Sequence, residues 1–499
     1  MAGINDVHDI VQGAKALLFG FGGRMAARII LIVIASRQFG PAEFGILGQT
    51  AALAEIAAAL GVLGLKRSLL DMLSYNAENG ISIEQRITEA IIVVLVVSFA
   101  IATGLLLYWS HFFPEQAHLL PLLFIAVPAI AFTEVALTAI KYKRIVKWDV
   151  WSRGFTEPWG FLALTLLMLG LGIIQGGLVI AYVGSVCIAA ITVSIGLVRC
   201  YGLAPLLLSK PNLLNCLRIP KQSIPVGITD MGVLMLRRVD VLVLAMFVPA
   251  SSVGLYYMVQ QLATVPQKVN ALFEPMVSPV IARLHNRFEV SKIRDNLIGI
   301  CRWVFIIQLG ITIPMVIYGD LLLSLFNPVF VTGGLVLAII LLAEVIDGTF
   351  ITLETPLLFS NPMIPPALII LTIIVEITLI ALFSKLWGVE GAAIGFLVAL
   401  STLAAGRILF LSTKLQIQVV NSSYILPFIF GAMMMTTLAV ARIYIPLNWT
   451  WISAIIVLFS LLCYSLLIRK FSLTKSDKIL LRALRQRQQR KKNTKGISP

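Results

Sequence analysis

About fourteen stretches of roughly 20 mainly apolar residues recur along this chain of 499 residues, each long enough to cross a hydrocarbon core as a helix. Their approximate extents are 15–37, 44–65, 87–110, 117–140, 150–171, 178–198, 224–249, 253–282, 296–318, 333–357, 364–384, 389–412, 423–444 and 449–468. Backbone polar groups in lipid must be satisfied within the protein, so the stretches are read as helices. Composition agrees: 59% of residues are hydrophobic and 13% charged, whereas about a quarter are charged in a soluble domain. Water could not solvate a fold with so much apolar surface. The expected class is an all-α integral membrane protein.

The charge excess of +15 would suggest a nucleic-acid partner on a soluble chain, but here it reports orientation. With the N-terminus in the cytoplasm, 31 of the 39 Lys and Arg residues fall on the cytoplasmic side, Arg407 among them. Only Arg37, Lys385 and Arg442 fall outside, and Arg24, Arg28, Arg237, Arg238 and Lys268 lie within spans. The bias places both termini in the cytoplasm, and no nucleic-acid partner is expected. The opening MAGINDVHDIVQGAK lacks a basic n-region and a cleavage site, so the first apolar segment is expected to be a retained anchor. Five widely spaced cysteines without a C-x-x-C, and four scattered histidines, give no disulfide framework and no metal site. The basic tail from Arg469 to Pro499 reads as a stop-transfer flank on anionic membrane lipid.

An internal repeat gives the span order a second level. Phe39-Gly40-Pro41-Ala42-Glu43-Phe44-Gly45 after span 1 pairs with Phe247-Val248-Pro249-Ala250-Ser251-Ser252-Val253-Gly254 after span 7. Gln175-Gly176-Gly177 opens span 6 as Glu390-Gly391-Ala392 opens span 12. Both pairs are six spans apart, so the halves are expected to be parallel repeats about an axis along the membrane normal. The expected division is 1–210 for helices 1–6, 211–415 for helices 7–12, 416–470 for two extra C-terminal helices, and 471–499 for a basic cytoplasmic tail. Two parallel six-helix lobes of this kind are a transporter architecture, with the site near the midplane.

Charges inside the spans mark that site. Ten acids lie in or near spans: Glu55, Glu134, Glu157, Asp230, Asp240, Glu274, Glu344, Asp347, Glu354 and Glu376. With the five basic residues they would cost on the order of 40 kcal/mol if all faced lipid, so most must pair or line water. Arg24 and Arg28 are i,i+4 on span 1, which has no nearby acid on that face. Asp230, Arg237 and Asp240 share an arc of span 7, and Glu344, Asp347 and Glu354 share an arc of span 10. Arg153 and Glu157 are spaced to pair locally. Arg28 and Arg237 are near-equivalent under the repeat, so they are expected to face each other. A basic cavity selects an anion, because guanidinium forks match phosphate oxygens. The acids would neutralise the cavity or bind a coupling proton or sodium ion.

The same residues carry a family resemblance. Ala35-Ser36-Arg37-Gln38-Phe39-Gly40-Pro41-Ala42-Glu43-Phe44-Gly45 resembles the A-R-x-L-G-P-x-E-F-G signature of polysaccharide-biosynthesis flippases. Arg237-Arg238-Val239-Asp240 with Gly254-Leu255-Tyr256 resembles their R-x-D … G-x-Y pattern, and Gly388-Val389-Glu390-Gly391-Ala392-Ala393 their G-x-x-G-A-A opening of helix 12. The chain thus resembles the multidrug/oligosaccharidyl-lipid/polysaccharide (MOP) exporter superfamily, on its bacterial Wzx-like branch. Ser36 and Val248 depart from the pattern. The resemblance implies two lobes in a V shape and alternating access. It also implies flipping of an undecaprenyl-pyrophosphate-linked oligosaccharide across the bacterial inner membrane for O-antigen, capsule or exopolysaccharide. It gives Arg24, Arg28, Arg237 and Lys268 the pyrophosphate, and Asp240, Glu344, Asp347 and Glu354 charge balance or ion coupling. Polysaccharide polymerases or glycosyltransferases are the implied protein partners, and no cofactor beyond a coupling H+ or Na+ is implied.

Two rivals remain. A cation-coupled multidrug exporter of the same superfamily would favour an acidic or apolar cavity. A membrane glycosyltransferase or polymerase would need acid/base residues on sizeable external loops, and the loops here are short. No G-x-x-x-x-G-K-[ST] occurs, so the chain is read as a transporter without its own ATPase, and not as an enzyme.

Overall fold

The computed structural model describes residues 22–112, 119–287, 289–444 and 450–472, and among these every regular element is helical. Helix α1 runs over 22–34 and widens into a π-helical turn at Ala35–Phe39. Gly40, at φ +85°, then redirects the chain, a conformation that only glycine adopts without steric cost. Pro41 follows in the first turn of α2 (Gly40–Val62), where its missing N–H has no helical partner to lose. Leu63 and Gly64, both at positive φ, separate α2 from α3 (Leu65–Glu78).

Next come α4 (Ile83–Phe112) and α5 (Leu120–Tyr142), then a π-helical turn at Val150–Thr156 that runs into α6 (Glu157–Gly170). They are followed by α7 (Gly177–Tyr201), α8 (Leu203–Leu208), α9 (Leu213–Leu236), α10 (Val239–Ala245) and α11 (Ala250–Asn286). After them come α12 (Val290–Ile317), α13 (Gly319–Phe326), α14 (Gly334–Phe350), α15 (Glu354–Ser360) and α16 (Ile364–Lys414). The last two are α17 (Ile425–Tyr444) and α18 (Thr450–Leu467).

Among the described residues, nine helical runs are long and apolar enough to cross a membrane, so the expected count of fourteen is not reproduced as fourteen separate helices. The difference has local causes. The run Gly22–Glu78 holds the first two expected spans, and Ile364–Lys414 holds the eleventh and twelfth, with the backbone broken at Gly388 (φ 59°, ψ −130°). The fifth, seventh and eighth expected spans are helical but interrupted or polar: a π turn opens the fifth, two residues split the seventh, and α11 carries Gln260, Gln261, Gln267 and Asn270. The first seven residues of the first expected span, and the basic tail from residue 473, lie outside the described residues, as does the side chain of Glu274.

Contacts divide the chain into two compact units. The first comprises residues 1–259, 323–336 and 369–399, and the second comprises 260–322, 337–368 and 400–499. The first is built around α2, α3, α4, α5 and α7, whose Leu53, Leu69, Val94, Leu123, Val135 and Val193 are buried together. In the second, α17 and α18 pack on α12 through Ile306, Ile313, Phe430, Met434 and Tyr464. Lipid gives no hydrophobic drive for that docking, so hydrogen bonds and shape must hold it. Tyr464 donates to the Ile306 carbonyl at 3.1 Å, and Arg442 donates to the Ile317 carbonyl and pairs with Asp320.

Inside the first unit, the two copies of the repeated motif touch. An ideal Cβ on Gly45 would overlap the carbonyl of Ala250, and one on Gly254 would overlap the carbonyl of Pro41. Each glycine of one copy meets a backbone carbonyl of the other, so both glycines are fixed by the approach of two backbones. Glu43 of the same motif accepts from the Gly176 N–H at 2.9 Å, placing a carboxylate at the N-terminus of α7. A valine at Gly45 or Gly254 must push the helices apart, at a cost of about 1–3 kcal/mol or more. Both variants are expected to lower the melting temperature of the purified protein, whereas Gly104→Ala, which would meet nothing within 4 Å, should leave it unchanged.

Candidate functional site

The first unit gathers four guanidinium groups and four carboxylates from α1, α2, α5, Asp149 before the π turn, the π turn with α6, and the junction of α9 and α10. Arg28, half-buried on α1, lies within electrostatic reach of Arg24, Arg238, Glu55 and the Tyr257 ring. Arg238 Nε donates to Glu55 Oε2 at 2.7 Å. Glu157 lies within reach of Arg153, Arg24, Glu55 and Glu134, which closes the set into one network. The missing acid of span 1 is thus supplied by α2 and α6.

Arg153 reaches its partners through the π turn. It pairs with Glu134 of α5 and stands 3.8 Å from Asp149, instead of forming the expected local pair with Glu157. The extra residue of a π turn re-aims the side chains after it, and such turns recur at functional sites. Lys141 at 2.9 Å from Asp149 and Lys66 at 4.0 Å from Glu134 extend the chain of ion pairs. Aromatic rings border the arginines: Phe155 packs on Gly23 beside Arg24, and Tyr257 packs on Gly48 and, at 5.2 Å between centroids, on Phe44.

The arc expected on span 7 does not exist, because the helix stops at Leu236 and restarts at Val239. Two adjacent arginines in a low-dielectric interior need carboxylates in different directions, and the break supplies both. Arg238 turns to Glu55, whereas Arg237 lies with Asp240 and Glu376. Arg238, and not the expected Arg237, therefore stands beside Arg28. Asp230 pairs with Arg67 at 2.6 Å. Asp240 is fully buried and accepts from Tyr256 Oη at 2.9 Å and from the Val241 N–H at 2.8 Å. Glu376 of α16 is also fully buried, and neither of its carboxylate oxygens has a hydrogen-bond partner.

The other expected residues belong to the second unit. Lys268 is exposed on α11. Helix α14 ends at Phe350, so Glu354 opens α15 instead of sharing one helical arc with Glu344 and Asp347. Glu344 accepts from Gln267 Nε2 at 2.7 Å. Asp347 and Glu354 pair with Arg407, at 2.7 and 3.1 Å. Arg407 is buried to 4% exposure, so its place in the cytoplasmic tally is corrected: it is the counter-ion of two acids. Its position in the apolar run Leu400–Leu411 was the signal for this. Removing one partner of a buried pair costs about 3–5 kcal/mol. Arg407→Leu is expected to destabilise the protein strongly in thermal unfolding, and adding Asp347→Asn to that variant should restore much of the loss. Additive losses would contradict the pairing.

The fold is that of membrane transporters. The structure of the lipid II flippase MurJ in an inward closed conformation superposes with a TM-score of 0.69, covering 92% of this chain and 99% of that one at 14% identity. An inward-facing multidrug resistance MATE family transporter of the MOP superfamily gives 0.59, covering 82% and 94% at 12% identity. Sequence comparison with curated proteins finds no match. Residues 10–285 match the model of the polysaccharide biosynthesis protein family, and the chain belongs to that family. It is a multi-pass membrane protein.

Proposed function

We propose that the protein flips an undecaprenyl-pyrophosphate-linked oligosaccharide across the bacterial inner membrane by alternating access, for assembly of O-antigen, capsule or exopolysaccharide. The observation that carries this reading is the network of Arg24, Arg28, Arg153 and Arg238 with Glu55, Glu134, Glu157 and Asp149, which Lys66 and Lys141 extend, so that basic groups outnumber carboxylates six to four. A diphosphate headgroup offers the arginines bidentate partners.

In this reading, residues 1–210 and 211–415 are the two lobes, and both termini are cytoplasmic. Arg237 balances Asp240 and Glu376, and those two acids carry the coupling proton or sodium ion. Asp347 and Glu354 serve charge balance through Arg407. The chain acts as a carrier and not as an enzyme, handing its cargo to a polysaccharide polymerase supplied by glycosyltransferases. Membership of the polysaccharide biosynthesis family and the MurJ-like fold support this over drug export.

Each charge-assisted contact is worth about 1.5–3 kcal/mol, or roughly ten- to hundredfold in binding. Arg28→Ala and Arg238→Ala are therefore expected to cut surface-polysaccharide yield per membrane-inserted molecule at least about tenfold in a host lacking its own flippase. Lysine at either position should restore part of the yield. Normal yield in both alanine variants, or ethidium efflux by the wild type, would overturn the reading.

A further inference from the structure

Between α7, which is long and apolar enough to cross the membrane, and the apolar stretch Gly227–Leu236 of α9, the chain exposes a run of leucines. Leu203, Leu207, Leu208, Leu213, Leu214 and Leu217 are each 55–78% exposed. Leucines that face lipid along a span need no explanation. These lie on α8, which is far too short to span, and on the first turns of α9, whereas a wet surface carries its apolar residues singly. The other side of the segment is polar and fixed. Thr88 Oγ1 of α4 donates to the Leu206 carbonyl at 3.1 Å, and Ser209 Oγ donates to Thr88 Oγ1 at 2.9 Å. Glu89, buried and paired with Arg86 at 3.2 Å, accepts from the Asn212 N–H at 3.0 Å and from Asn215 Nδ2 at 3.2 Å. Along α9, Leu213, Leu217 and Lys221 follow one another at four-residue steps, while Ile219 and Ser223 turn inward and are buried. The segment is therefore amphipathic, with its hydrogen-bonded side on α4 and its leucines turned away.

Charge narrows what meets the leucines. Lys210, Arg218 and Lys221 are exposed beside them, and the sequence has no acid from residue 158 to residue 229. The carboxylate of Glu89, which faces the segment from α4, is already engaged by Arg86 and by the two asparagines. Hydrocarbon alone suits the leucines and not the three cations, and an acidic protein in water suits the cations and not the leucines. The boundary between acyl chains and anionic headgroups offers both within a few ångströms. An amphipathic helix there sinks its apolar side about 5–10 Å into the boundary, and long basic side chains reach back to the phosphates. Pro220 removes one helical hydrogen bond, to the Cys216 carbonyl, which frees the first turns of α9 to bend toward the membrane plane.

We propose that residues 203–221 lie in a membrane–water interface and bind anionic phospholipid, with the six leucines among the acyl chains and Lys210, Arg218 and Lys221 on the headgroup phosphates. By the charge bias of the sequence this is the cytoplasmic interface. The chain passes from residues 1–210 to residues 211–415 through this segment alone, so headgroups grip the connector itself as well as the helices around it. The assignment is independent of what the protein transports.

The test places the photo-crosslinker benzoylphenylalanine at Leu208 of the full-length protein, in vesicles of equal parts phosphatidylglycerol and phosphatidylethanolamine. Adducts are identified by mass spectrometry after irradiation. Lipid adducts are expected, with phosphatidylglycerol favoured at least about threefold, because each basic residue near the surface contributes to the attraction of anionic lipid. The double variant Arg218→Gln, Lys221→Gln should keep the lipid adducts and lose most of that preference. The same probe at Leu166, exposed on α6, should give lipid adducts without a preference. A second probe at Leu214 repeats the measurement if the first variant does not fold. Absence of lipid adducts at both positions would overturn the proposal, as would equal capture of the two lipids or a preference unchanged in the double variant. So would capture of another protein in place of lipid in intact cells, which would make the leucines a protein-docking face.

Discussion

An ion in hydrocarbon must be met by another ion, by converging dipoles or by water, and this requirement organises the interior of the protein. The Arg238–Glu55 bond is its clearest expression, because a membrane helix gives up its continuity to make it. The break between α9 and α10 forfeits helical hydrogen bonds, an expense tolerated only where the freed groups and the arginines find other partners. Arg153 is brought to Glu134 by a π turn, and Glu354 reaches Arg407 from the start of a new helix. In each case an irregularity in the backbone sits where a charge has to be aimed.

Glycine provides the complementary constraint. Where helices carry no hydrophobic incentive to associate, close approach of backbones supplies the contact energy. Gly45 and Gly254 allow it between the two copies of the repeated motif, and Gly64 allows it against Gly227 near the Arg67–Asp230 pair. The signature residues around Gly40 thus have physical duties. Gly40 makes the turn, Pro41 starts the helix, Glu43 faces the N-terminus of α7, and Gly45 clears the path for a second backbone.

Much of this was legible in the sequence because it depends on local properties. Apolar length gives the spans, and the Gly-Pro pair gives the turn. Arg24, Arg28, Asp240 and the acids of span 10 could be located by their cost in lipid. What escaped depends on partners remote in the chain. The choice of Arg238 over Arg237 as neighbour of Arg28 follows from a helix break that no periodicity reveals. Arg407 looked cytoplasmic because Lys414 and the polar stretch after it are near in sequence, and only packing shows it between Asp347 and Glu354. Glu376 was one acid in an apolar run, and its lack of hydrogen-bond partners is a property of the folded protein.

The central claim is that paired charge in the first unit is held ready for a diphosphate. Its most direct measurement is binding of three undecaprenyl lipids to the detergent-purified protein by native mass spectrometry: the pyrophosphate, the monophosphate and the uncharged alcohol. Affinity should fall in that order, with the alcohol weakest by far and the preference narrowing as salt rises. Equal retention of the alcohol and the pyrophosphate would contradict it, since recognition would then rest on the lipid chain alone.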